Sequence, residues 1–327
     1  MFGCWTSVSR GSMLPVFEEL NNILFYPVQY EGKESSKSIF PPARRRTAGD
    51  PGIRLADERR KRAALGAARH RLRLSRHHQP RILDASLKQK GVAAEDIMAS
   101  HMPFGHSDWQ SIVAQVKRFG SAGKKTAVVS TINGDANVPF DKELANQGIK
   151  ATDIPVVAFS VGEEELAGID RGPLVGHLAA WNDFMSLDTP IDEEFIRTWH
   201  AFLRNPRRVT NDPMEAHFIV FNMWVEAVKK AGTTVADPVI DALIGVAVPN
   251  LTGGISTMMP NHHITMPVLI GEVQADGQSN TVWQTAGTVV GDVWSDDLEG
   301  SKDLIAEWRA PMKCANLNPR TGRCGGS

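Results

Sequence analysis

Short uninterrupted apolar runs alternate along this chain with stretches whose apolar residues recur every three or four positions. Residues 126–132 (TAVVSTI) form a compact β-branched run of the kind a buried parallel strand carries. The run stops at the turn signal Asn133-Gly134-Asp135, and a helix is expected around 141–147. Residues 155–160 are a second such run, ending at Gly162-Glu163-Glu164-Glu165, and 175–184 a third. Ahead of them, Ser107 or Asp108 can cap a helix with Trp109, Ile112, Val113, Val116 and Phe119 on one face. Residues 13–20 read as a helix and 22–28 as a short strand. Two strong helices follow. One covers 193–203 with Phe195, Ile196, Trp199 and Phe202; the other opens at Asp212-Pro213, stops at Gly232 and carries Phe218, Phe221, Val225 and Val228 as its expected core stripe. Residues 254–285 read as antiparallel, with Val268-Leu269-Ile270 and Thr281-Val282-Trp283 flanking a turn at 275–278. Strand–helix alternation at this spacing predicts an α/β fold with right-handed crossovers in parallel sheets.

One stretch breaks the pattern. Between Pro41 and Pro80 stand 11 Arg and one Lys against three acids and no aromatic residue, a local charge of +9. The rest of the chain then carries −10, because the whole has a formal charge of −1. Such a run reads as a solvated or disordered segment, as a nucleic-acid arm, or as residues from a slipped reading frame. The near-neutral total argues against a nucleic-acid binder. With 327 residues, 42% of them hydrophobic, the chain can bury one large core or two ordinary ones. No run approaches the roughly 18 apolar residues of a membrane span, and residues 1–5 show no basic-then-apolar export signal.

Candidate chemistry gathers at strand ends. Both tyrosines of the chain, Tyr26 and Tyr30, fall within FYPVQYEG. An aromatic ring there offers a flat wall and a hydroxyl to a small polar ligand, or simply packs. Gly3-Cys4-Trp5-Thr6-Ser7 puts two hydroxyls and an indole at another strand end. Asn133-Gly134-Asp135 and Ser160-Val161-Gly162-Glu163 hold the same position, and the carboxyl edge of an open α/β sheet is where ligands bind. The pairs His262-His263 and His77-His78 lack the i, i+4 spacing of a helical metal site, so no metal and no cofactor is expected. Glu163-Glu164-Glu165 could supply a general acid or base, yet an acidic run is usually a solvated helix start, and no nucleophile motif accompanies it. Cys314 and Cys324 either close a short disulfide loop, which implies an oxidising compartment, or stay as thiols; Cys4 reads as a buried free thiol.

In order along the chain stand GCWTSVSR (3–10), LFYPVQYEG (24–32), PFGHSDWQSIV (103–113), TINGDANV (131–138), FSVGEEELAGID (159–170), GHLAAWNDFMSLDTP (176–190), RVTNDPMEAH (208–217) and PNHHITMPVLIGEVQADGQ (260–278). Together they resemble the substrate-binding proteins of urea ABC transporters, in the amide/urea branch of the type I periplasmic binding proteins. The resemblance covers roughly 1–40 and 80–327. It implies two α/β lobes with parallel sheets flanked by helices, joined by three crossovers, with the ligand in the cleft between them. Lobe one would take 1–40 and 177–250, and lobe two 80–176 and 251–285, with a tail at 286–327. It further implies capture of urea or a short amide without catalysis, a periplasmic location, and partnership with ABC permease membrane subunits. Neither nucleic acid nor direct membrane insertion is expected. Carried over by motif, Trp5, Ser7, Tyr26 and Val28 would line the pocket from lobe one, and Asn133 and Ser160 from lobe two. Ligand chemistry adds Thr6 for a carbonyl oxygen and Asp135 or Glu163 for N–H groups. A soluble amide sensor of the same fold and a small-amide hydrolase are the alternatives. The resemblance also implies a lobe-one strand, helix and export signal ahead of GCWTS, so that Met1 would be an internal start. It lapses over 41–79, which we expect to be frameshifted and disordered, a genuine basic insertion being the alternative.

Overall fold

The structure, a computed structural model, describes residues 1–28, 35–41, 64–68, 85–100, 102, 105–123, 125–167, 169–291 and 317–324. Lobe one begins with α1 (Ser7–Glu19), which starts six residues earlier than its apolar spacing suggests. The Thr6 hydroxyl accepts the Ser9 N–H at 3.2 Å and so caps the helix. Parallel strands β1 (Leu24–Phe25) and β2 (Ile39–Phe40) follow, and Phe2 bridges to Phe25 alongside them.

Lobe two is built on a seven-stranded sheet. It contains β3 (Ala64–Ala68), β4 (Ala99–Ser100), β5 (Thr126–Ser130), β6 (Val156–Ala158) and β7 (Leu178–Trp181). These five pair in parallel, in the order β7-β6-β5-β3-β4. Beyond β7 the sheet turns antiparallel, as the reading of residues 254–285 expects, and the whole is a mixed sheet. Strands β8 (Ala247–Pro249) and β9 (Ile255–Thr257) form a separate hairpin, whereas β10 (Leu269–Val273) and β11 (Ser279–Gln284) complete the large sheet as a hairpin beside β7. Helices α2 (Gln110–Gly120) and α3 (Asn137–Asn146) cover one face, where Ile112, Val113, Val116, Phe140 and Leu144 pack on Val128 and Val156. Val129, Val157, Leu178, Val268 and Ile270 form the other apolar face.

Of the Arg-rich segment expected to be disordered, the described residues 64–68 are strand β3, seated between β4 and β5. They come from the uncharged stretch between Arg62 and Arg69, which can enter a sheet without burying a guanidinium. The remainder of 41–79, His77 and His78 included, lies outside the described residues apart from Pro41.

The chain returns to lobe one through α4 (Glu163–Leu166), β7 and α5 (Pro190–Leu203), then α6 (Asp212–Ala231) and α7 (Ala236–Leu243). The Asn211 side chain accepts the Met214 N–H at 3.2 Å, Pro213 sits in the first turn, and Gly232 ends α6 at φ 65°. Asn211→Ala should cost about 1 kcal/mol and lower the melting temperature by roughly 2–4 °C in a thermal-shift assay. The core face of α6 is Ala216, Ile219, Val220, Met223 and Ala227. Phe221, expected in the stripe, is exposed; this helix is apolar nearly all round, so periodicity alone does not choose its inner face. Phe202 of α5 is likewise 78% exposed. Val248, Met258, Ile264 and Met266 share the lobe-one core with α6, and Val268 is the first residue after them in the lobe-two core, later than the boundary expected at 251. In the tail, β12 (Leu317–Asn318) and β13 (Arg323–Cys324) pair as a hairpin. Arg320 at its turn reaches α7, pairing with Asp241 at 3.0 Å and donating to the Asp237 carbonyl at 2.8 Å.

Candidate functional site

The residues picked from the sequence fall into two groups, one on each lobe. On lobe one, Tyr26 and Val28 follow β1 and are buried with Cys4 beside them. The Tyr26 hydroxyl donates to the Trp5 carbonyl at 3.3 Å, which fastens the two strand-end segments together. Arg10 lies beneath, buried, its guanidinium carbon 4.5 Å from the centre of the Tyr26 ring and its Nη1 donating to the Ser7 hydroxyl at 3.4 Å. The sequence reading passed over Arg10. Its signal was the i, i+3 spacing from Ser7 on a helix that starts earlier than apolar periodicity showed. Trp5 is 54% exposed. The Thr6 hydroxyl is engaged with Ser9 in the cap.

On lobe two, the loops after the adjacent parallel strands β5 and β6 carry Asn133 and Ser160. Asn137, at the start of α3, ties them together. Its Nδ2 donates to the carbonyls of Ile132 at 3.1 Å, Gly134 at 3.1 Å and Ser160 at 3.3 Å. Sequence reasoning missed this residue, since an asparagine inside a helical pattern gives no sign of reaching three carbonyls. Ser160 is buried, Asn133 half-buried and Asp135 exposed in a short 3-10 turn.

Glu163 stands apart from the other picks. It is 2% exposed, and its Oε1 has no partner. Burial pushes its carboxyl up to about 8. Asp183 after β7 and Asp192 in the first turn of α5 face it, and Asp212 and Glu215 in the first turn of α6 lie beyond them beside Asp183, all buried. Both oxygens of Asp183 and of Asp192 are unpartnered, as is Oε2 of Glu215. Glu215 Oε1 accepts the Leu251 N–H at 3.0 Å. Residues 182–189 and 266–268 are where the backbone passes between the two cores; Asp183 lies within the first of these crossings, the hinge, and Asp192 just after it. On the surface beside it, Arg208 of the α5–α6 loop pairs with Glu164 of α4 at 3.3 Å.

His262 and His263 are structural. His262 stacks on Phe40 with ring centres 4.1 Å apart, and burial lowers its imidazole to about 4. Among the described residues no three His, Cys, Asp or Glu side chains are arranged to hold a metal ion. A cavity of about 320 Å³ lies between loop 186–188 and the β10–β11 hairpin, lined by Ser186, Asp188, Gln274 and Asn280; none of the sequence-picked residues lines it. Cys324 lies on β13, while Cys314 falls outside the described residues. No described helix is long and apolar enough to cross a membrane.

Two α/β lobes, each offering strand-end loops and joined through a buried hinge, define a two-lobed binding-protein architecture. Residues 1–45 and 73–300 match the family described as the periplasmic binding protein domain, and the chain belongs to that family. The match is interrupted over 46–72, inside the Arg-rich segment. Solved structures share the fold. An amino acid ABC transporter substrate-binding protein from Pseudomonas fluorescens Pf-5 has a TM-score of 0.74 at 15% identity, over 91% of this chain and 80% of that one. A solute binding protein of an ABC transporter from Rhodopseudomonas palustris HaA2, in complex with p-hydroxybenzoic acid, has a TM-score of 0.74 at 18% identity, over 88% and 78%. A limonene hydroxylase from Geobacillus stearothermophilus is 27% identical over 110 residues, 34% of this chain; the chain spans 20% of that relative's length.

Proposed function

We propose that this chain captures urea or a short-chain amide between its lobes and delivers it, without catalysis, to an ABC permease from the periplasmic side. The observation that carries this reading is that Tyr26, after β1, and Ser7, at the start of α1, share Arg10 on lobe one, while Asn133 and Ser160 follow the adjacent strands β5 and β6 of lobe two. The ordered motifs and the family support it. Urea presents one carbonyl acceptor and four N–H donors. Ser7 or a backbone N–H would meet the carbonyl; Asp135, Glu163 and backbone carbonyls would take the N–H groups. Closure of the lobes would exclude water, and each unmet donor would then cost about 1–3 kcal/mol, enough to select so small a ligand. An oxidised Cys314–Cys324 pair would suit the same compartment.

Titration of the purified chain with urea, acetamide and formamide by calorimetry, with ammonia measured in parallel, tests the reading. Saturable heat without ammonia release is expected, and Tyr26→Ala should weaken binding at least ~10-fold, the effect of losing about 1.4 kcal/mol. Ammonia release would favour the hydrolase. Binding of p-hydroxybenzoate or an amino acid in place of all three amides would overturn the urea assignment and leave ligand capture standing.

A further inference from the structure

The buried carboxyl groups at the hinge belong to no part of the ligand reading, apart from Glu163. They come from four separate elements. Glu163 and the half-buried Glu165 are on α4 of lobe two; Asp183 follows β7; Asp192 and the exposed Glu193 are on α5; Asp212 and Glu215 are on α6. The charges facing Asp183 are Asp192, Asp212 and Glu163, and those facing Glu215 are Asp183, Asp212 and Asp192, so the groups named on every side are acidic. Arg208 pairs on the surface with Glu164, and His217 of α6 turns to the Pro213 carbonyl at 2.7 Å. Like charges so placed cannot all be ionised away from water. Two agents could neutralise them, a bound cation or protons. Protons can do so without any further group, and the experiment below sets them against a cation.

We propose that the hinge is a proton latch: Asp183 at the crossing, Asp192 and Glu215 of lobe one, and Glu163 of lobe two are neutral carboxylic acids while the lobes are packed, and their ionisation frees the lobes to part. The inference rests on the two-lobed architecture and stands apart from the identity of the ligand. Burial raises all four carboxyls, Asp192 to about 7 and Glu163 to about 8, with the neighbouring acids adding to the rise at Asp183 and Glu215. In the unfolded chain such groups titrate near 4. Between about pH 4 and pH 8 the folded state therefore binds more protons than the unfolded one. The stability so gained is full below about 4 and is lost as pH rises through 7 to 8.

The test uses the whole chain without ligand, in EDTA, from pH 5.5 to 9. Melting temperature is read by thermal shift and radius of gyration by small-angle X-ray scattering. The wild type should lose roughly 5 °C between pH 6 and pH 9, and its radius of gyration should rise over the same interval. Asp183→Asn with Asp192→Asn should flatten both curves, and Glu163→Gln alone should flatten them in part. Asp141→Asn is the control, because Asp141 on α3 is also raised to about 8 yet lies outside the cluster; it should leave the scattering curve unchanged. A wild-type radius of gyration that stays flat with pH would overturn the proposal whatever the variants do. So would calcium chloride, in place of EDTA, restoring the melting temperature at pH 9, since a cation would then be the neutralising agent. If the double variant fails to fold, Glu163→Gln and the wild-type scattering decide.

Discussion

Asn137→Ala should destabilise the chain by about 2–4 kcal/mol and weaken ligand binding together with it. Its single side-chain amide reaches the carbonyls of Ile132, Gly134 and Ser160, at 3.1 to 3.3 Å, and its own exposure is 1%. Alanine removes the donor from the buried Ile132 and Ser160 carbonyls, at about 1–3 kcal/mol for each group that water cannot reach, while the Gly134 carbonyl keeps the Asn137 backbone N–H. The loops after β5 and β6 would then lose their common tie, so Ser160 and Asn133 would no longer be held in one arrangement. Asn137→Asp should do no better, because a carboxylate presents acceptors to acceptors. Denaturant unfolding measures the first loss and calorimetric titration the second. A variant as stable as the wild type, with unchanged affinity, would show that the tie is dispensable.

Gly271→Ala should be of similar severity for a steric reason. A β-carbon at Gly271 would stand 2.7 and 2.8 Å from two ring carbons of Phe184 and 2.8 Å from the β-carbon of Ser279. Phe184 and Ser279 are both fully buried, and the register of β10 and β11 shifts between Ile270 and Gly271. No neighbour there is the loose end of a flexible side chain, so the sheet itself must move. Overpacking of this kind costs about 2–3 kcal/mol, a fall of roughly 5–10 °C in melting temperature. Combining the change with Phe184→Leu should recover part of it, and strict additivity of the two losses would mean that the ring is not the obstacle.

How far the sequence revealed this molecule differs from element to element. Strands β5, β6 and β7 were legible because a strand buried on both faces reads as an apolar run. Helix α6 was legible at its ends, where Asp212-Pro213 and Gly232 act through backbone geometry, and misread along its inner face. The start of α1 was hidden because Ser7, Arg10, Leu14 and Phe17 are its buried positions and two of those are polar. At the candidate site, the strand-end loops could be read from turn signals. What holds them, Asn137 and Arg10, could not, since each acts through contacts made only by the folded chain. Glu163 was picked as an acceptor for ligand N–H groups, but its buried company of Asp183 and Asp192 comes from residues 20 and more positions away. The acidic hinge was invisible for the same reason: four elements each contribute one or two ordinary-looking acids, and only the crossover brings them together.

Strand β3 sits in the interior of its sheet, hydrogen-bonded to β4 on one side and β5 on the other, although it lies in the internal stretch where the family match is interrupted. Its sequence is Ala-Leu-Gly-Ala-Ala. A place between two parallel strands makes modest demands: peptide N–H and C=O groups on both edges, and no charge to bury. Backbone adhesion is the same for every amino acid except proline. The seat is therefore open to almost any short uncharged segment that the chain can carry to it, because what the neighbouring strands bind there is the peptide bond.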